Sequence, residues 1–145
     1  MEIYKRIKNL EDYNYAIKYG FNPFLDPSFI IDIETRYYIQ KDLFQIKGNL
    51  KKSDVKFYQY CWKWLDNYCE ETGLYLRSYS AVFVSHILSR GAYPEMRWDI
   101  RNINILSFKS HQEWEFGTLE KKQSMKIWTD NEIKIEQLKL EYNQI

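Results

Sequence analysis

The spacing of apolar positions changes several times along this chain, and each change predicts an element. Phe57, Cys61, Trp64, Leu65 and Tyr68 recur on one face of a 3.6-residue period. Ser53 supplies a capping oxygen ahead of them and Asp54 an acid that suits the helix dipole, with Gly73 beyond the end. That spacing predicts a packed helix over about 54–70. Upstream, a turn-like NPFLDPS leads into 29-FIIDIETRYYI-39, whose β-branched and aromatic content predicts a strand. Downstream, 74-LYLRSY-79 and 81-AVFVSHI-87 read as strands, and a loop containing Gly91 and Pro94 leads to Asn102. The run 103-INILSF-108 reads as a further strand and is followed by a helix from near Lys109 to about Lys126. Thr129 and Glu132 stand at capping-box spacing before Ile133, Ile135, Leu138, Leu140 and Tyr142, which predicts a terminal helix. No repeat, low-complexity run or linker interrupts the series. The expectation is one α+β domain over 1–145, with an aromatic-rich N-terminal extension over 1–52, a core over 53–126 and a C-terminal helix over 127–145.

Composition narrows the class without fixing a function. A chain of 145 residues with 45% hydrophobic and 28% charged content has the balance of a soluble globular domain. Aromatic content is high at 18%, with thirteen Tyr and five Trp. A net charge of +1 lacks the basic excess of a non-specific nucleic-acid binder, so any such function must rest on local clustering. Cys61 and Cys69 are too few for a disulfide scaffold. On one helix they would lie roughly 12 Å apart along the axis, too far to bridge. Reduced thiols, an N-terminus without an apolar leader core and no stretch of spanning length together predict a soluble cytoplasmic protein.

The chemistry-bearing residues cluster in 85-SHILSRGAYPEMRWDIRNINILSFKSH-111, which holds the chain's two histidines, His86 and His111, and Asn102 between them. Either histidine alone is more simply a core residue. Together they are spread over a strand, loop, strand and helix start, a combination that suits chemistry more than packing. A histidine near neutral pKa can deprotonate water, and a divalent cation with open sites can neutralise the developing charge.

This constellation resembles the HNH (ββα-metal) nucleases. The resemblance implies that His86 is the general base, that Asn102 braces the loop through side-chain hydrogen bonds, and that His111 binds the metal. The position before the base, often an acidic or histidine ligand in the family, is Ser85, a weaker one. Glu115, one helical turn after His111, is a candidate replacement, and its alternative reading is a solvated helical acid. Asp99 reads as a loop-bracing residue. The strings 86-HILSRG-91 and 97-RWDIRNIN-104 are similar to phage recombination endonucleases of the NinG/Rap kind. Arg90, Arg97 and Arg101 then become candidate phosphate clamps, against the alternative of loop salt bridges to Asp99 or Glu95.

Many HNH proteins frame this hairpin with a structural zinc held by two Cys-x-x-Cys pairs. The corresponding places are 69-CEETG-73 and 107-SFKSH-111, with Thr72, Ser107 and Ser110 where three thiolates would stand. Neutral hydroxyls do not replace thiolates on zinc, so no structural zinc is expected. Aromatic packing by Trp62, Trp64, Tyr75 and Trp114 is the expected compensation. The resemblance implies a DNA endonuclease using Mg²⁺ or Mn²⁺, active in the host cytoplasm if phage-encoded, with DNA as partner and no membrane role. Homodimerisation would suit an enzyme that cuts two strands. The alternative is a catalytically inactive nucleic-acid-binding protein that retains the same frame.

Overall fold

The structure, a computed structural model, describes residues 5–145; the first four residues of the segment read as lacking a leader lie outside it. The chain is α+β, with two small sheets among helices. A parallel pair, β1 (Lys5–Arg6) with β2 (Phe29–Ile30), ties the N-terminal segment together around α1 (Leu10–Lys18). Two longer helices follow, α2 (Ile33–Phe44) and α3 (Leu50–Trp64). A 3-10 turn over Ala81–Phe83 leads into β3 (Val84–His86). β3 pairs antiparallel with β4 (Ile103–Ile105), with Val84 opposite Ile105, Ser85 opposite Asn104 and His86 opposite Ile103. Three helices close the chain: α4 (Phe108–Phe116), α5 (Leu119–Ser124) and α6 (Trp128–Tyr142).

The strand expected over 29–39 is corrected: only Phe29–Ile30 forms a strand, and α2 takes over from Ile33. Asp32 decides the switch, because its side chain accepts from Thr35 N and caps the first turn, overriding β-branched content. α3 starts earlier than expected, capped by Asn49 rather than Ser53, and stops at Trp64. Ser53 instead donates back to Asn49 O at 3.0 Å from inside the helix. Of its expected face, Phe57 and Cys61 are fully buried, whereas Tyr68 lies beyond the helix and is exposed. The strand expected over 74–79 reduces to a single bridge between Tyr68 and Tyr75.

The helix expected from Lys109 to Lys126 is two helices broken at Gly117. A Cβ at Gly117 would meet Glu113 O at 2.3 Å, so glycine alone permits this close turn. Thr118 then caps α5 by accepting from Lys121 N. At α6 the Thr129/Glu132 capping box does not form, since the helix already begins at Trp128. Its entry is satisfied by a distant carboxylate instead: Glu71 accepts from Lys126 N and Ile127 N, both at 3.0 Å. Asn131, Leu138 and Tyr142 form the buried stripe of α6, and Ile133 and Leu140 face outward.

The main core joins both ends of the sequence. Ile7, Tyr13, Phe24, Ile39 and Phe44 pack in one cluster with Phe57, Cys61, Val84, Ile103 and Ile105. A second cluster, containing Cys69, Leu106, Trp114, Met125 and Ile127, seats α4 and the start of α6 beneath the β3–β4 pair. The expected aromatic compensation is narrower than the sequence suggests. Trp114 belongs to this second cluster, Trp62 and Trp64 pack against the first, and Tyr75 is exposed.

Candidate active site

β3, the segments flanking it and α4 line a cleft of about 400 Å³ that receives His86, Arg90, His111 and Glu115, with Tyr58 of α3 and Lys122 of α5 at its walls. Alternation along β3 sends His86 to this side and Ser85 to the other, opposite Asn104. His86 is partly buried, and its Nε2 lies 2.8 Å from Arg97 O. A carbonyl can only accept, so Nε2 carries the hydrogen and Nδ1 keeps its lone pair. Burial holds the ring neutral, with its pKa lowered to about 4, and the nearby positive charge of Arg90 acts in the same direction.

His111 is held from its Nδ1 side. Its Nδ1 donates to Val82 O at 2.6 Å, and its Nε2 lies 3.3 Å from Glu115 Oε2, a pair joined either by a hydrogen on Nε2 or by a cation that both atoms ligate. A backbone carbonyl behind the far ring nitrogen is the usual way of orienting a metal-binding imidazole. Two adjacent ligands of one octahedral cation at ~2.1 Å stand about 3.0 Å apart. The nitrogen–oxygen pair of His111 and Glu115 therefore fits a hard divalent ion with little movement. Among the described residues no group of three or more His, Cys, Asp and Glu side chains is arranged around a common point. These two residues would thus leave most positions to water and phosphate oxygen, as Mg²⁺ commonly does.

Asn102 is fully buried and does not face the cleft. Its Oδ1 accepts from Leu88 N at 2.8 Å, and its Nδ2 donates to Leu88 O at 3.0 Å and Met96 O at 3.3 Å. One side chain thereby pins both limbs of the loop between β3 and β4. Asp99 braces the end of that loop. It accepts from Arg36 Nη2 at 3.1 Å, Arg101 Nη2 at 2.8 Å and Tyr142 Oη at 2.8 Å. Burial alone would raise its pKa, but the two guanidiniums prevail and hold the carboxyl well below the usual range.

The three candidate phosphate-binding arginines separate. Arg90 lines the cleft with its side chain 44% exposed, donating to Asp54 Oδ2 at 2.8 Å and Tyr58 Oη at 2.7 Å. Arg97 is engaged by Asp54 through Nε and Nη2, both at 2.7 Å, and does not line the cleft. Arg101 is divided between Asp99 and Glu141. Its predicted loop salt bridge to Asp99 therefore forms, and it too lies away from the cleft. Ser85 is also not brought in; its Oγ is buried without a hydrogen-bond partner among the described residues.

Asp54 is the group that sequence reasoning missed. Read only as an acid that suits the helix dipole, it is buried and collects Arg90, Arg97 and Trp98 Nε1. Burial raises its pKa, yet the Arg97 and Trp98 hydrogen bonds outweigh that and leave it below the ordinary value. A signal existed in the charge balance: the loop carries three arginines against only Glu95 and Asp99. Tyr58 and Lys122 carried no such signal, because only the fold brings them to the cleft.

Beside the second cluster, the positions aligned with zinc ligands do converge. Cys69 Sγ lies 3.6 Å from both Ser107 Oγ and Ser110 Oγ, which are 3.2 Å from each other. Burial raises the thiol's pKa, but donors from Ser107 and Thr72 more than offset it and bring it down to about 7. Compared with family models, curated proteins and solved structures, the chain matches none. The geometry of the cleft is therefore the basis for assigning a function.

Proposed function

We propose that this protein is a metal-dependent endonuclease of the HNH class that hydrolyses phosphodiester bonds in DNA. The observation that carries the reading is the meeting of both histidines, from separate elements, in one cleft with Glu115 and Arg90. A backbone carbonyl orients each ring through one nitrogen, Nε2 of His86 and Nδ1 of His111, which leaves the other nitrogen for the proposed role.

In this reading His86 Nδ1 takes a proton from the attacking water as the new P–O bond forms and the P–O3′ bond breaks. The Arg97 carbonyl, already bonded to Nε2–H, stabilises the imidazolium that results. Arg90 binds a non-bridging phosphate oxygen from the exposed end of its Asp54 pair. His111 Nε2 and Glu115 would hold the divalent cation, Mg²⁺ or Mn²⁺, whose charge supports the departing 3′ oxygen. Asn102 acts on the loop rather than on substrate. A place in phage DNA recombination belongs to the proposal through the resemblance of 86-HILSRG-91 and 97-RWDIRNIN-104 alone, and action as a homodimer only because an enzyme that cuts two strands would use two sites.

Plasmid nicking with Mg²⁺, Mn²⁺ or EDTA tests the assignment. Metal-dependent nicking that falls at least ~10²-fold in His86→Ala is expected. An unchanged rate in that variant would sink the mechanism. The second reading, a catalytically inactive DNA-binding frame, is favoured by the burial of Ser85 on the side of β3 away from the cleft and by the two-residue ligand set. Metal-insensitive binding without cleavage would select it.

A further inference from the structure

We infer that Lys122 is a second backbone-phosphate contact, so that the cleft engages a polyanion through at least two phosphates. This rests on the nucleic-acid reading above but uses a residue no motif assigns. Lys122 lines the cleft, and its Nζ stands over the Trp114 ring at 5.7 Å from the centroid. Trp114 is itself fixed, with Nε1 donating to Ile87 O at 3.3 Å, so the ring beneath the ammonium is held in place. Among the described residues Lys122 has no carboxylate partner, whereas its neighbour Lys121 reaches Glu113 at 3.8 Å.

The second positive site belongs to another element. Asp54 neutralises one of two guanidiniums, Arg90 and Arg97, which leaves about one net positive charge at the exposed Arg90 end. Arg90 sits in the loop after β3 and Lys122 on α5, with the His111–Glu115 pair lining the same cleft. A single phosphate ester needs one such anchor; a chain of phosphates uses both. Two cationic side chains on different elements thus offer a phosphate chain two anchors in one cleft, despite a net charge of only +1. Local placement supplies what the total does not.

Binding of a short labelled DNA duplex, followed by fluorescence anisotropy in EDTA over a range of NaCl, tests this without cleavage. Lys122→Gln should weaken binding several-fold at low salt and reduce the slope of log Kd against log salt by about 0.9, one phosphate contact. Lys122→Arg, which keeps charge and stacking, should retain the wild-type slope and controls for damage to the fold. Wild-type binding with an unchanged slope in Lys122→Gln overturns this inference and leaves the nuclease reading standing. Absence of salt-dependent binding in the wild type overturns both.

Discussion

His86 carries the most informative titration in the molecule. Its pKa is lowered to about 4 in the folded chain, against about 6.5 when unfolded. The unfolded chain therefore binds the extra proton first as pH falls. Stability is complete above pH 6.5 and declines between 6.5 and 4, by on the order of 3 kcal/mol. Asp99 works lower: its depressed carboxyl contributes stability present above about pH 4 and lost beneath it. Urea midpoints of wild type and His86→Gln across pH 4–7 separate the two. The variant should lose most of the slope between 6.5 and 4; a wild-type slope in the variant would assign the window to another group. The same residue illustrates what a sequence reveals. His86 and His111 were legible because histidine is rare here, and the loop-bracing role of Asn102 came from the family resemblance. The carbonyls of Arg97 and Val82 that orient the two rings carry no side-chain signal. Arg97 and Arg101 were overassigned because charge suggests phosphate until a buried acid claims it.

At the scale of elements, apolar runs located the elements, whereas their ends were set by single capping or breaking residues, Asp32, Asn49 and Gly117, and in one case by a distant partner. β3, β4 and a following helix were readable from apolar runs bounded by polar loops. The start of α6 was not, because Glu71 supplies its cap from far along the chain. The segment joining Cys69, Thr72, Ser107 and Ser110 shows an element kept by hydrogen bonds. Gly73, at φ +77°, closes its first turn, where its N–H donates to Cys69 O at 2.7 Å. The present spacings of 3.2–3.6 Å among Cys69, Ser107 and Ser110 approach the roughly 3.8 Å between thiolates on a tetrahedral zinc. Replacing Thr72, Ser107 and Ser110 together with cysteine should therefore create a site that takes one zinc. Metal analysis should show stoichiometric zinc, and chelation should lower the melting temperature of the triple variant while leaving wild type unchanged. Failure to retain zinc would mean that the four side chains do not share a centre.

Across the whole molecule, the N-terminal residues are structural partners of the cleft rather than an appendage. Arg36 on α2 reaches Asp99 through Nε and Nη2, both at 3.1 Å, and also donates to Phe24 O at 3.0 Å. Gln40 donates to Tyr142 Oη at 3.0 Å, which in turn donates to Asp99. The loop that carries Arg97 and Asn102 is thus anchored at once to α2 and α6. Breaking a buried pair from one side typically costs about 3–5 kcal/mol, so Arg36→Met should lower stability by about that amount. The aromatic distribution makes a test of cooperativity possible. All five tryptophans, from Trp62 to Trp128, lie beyond residue 52, whereas helical circular dichroism also reports α1 and α2. In urea the two signals should change at the same midpoint in wild type and shift together in Arg36→Met. A circular-dichroism transition preceding the fluorescence change would show that the N-terminal helices fold separately, and the anchoring of the cleft loop through Arg36 would then fall. Coincidence would mean that cleft geometry and global stability are set by one network, with Asp99 at its centre.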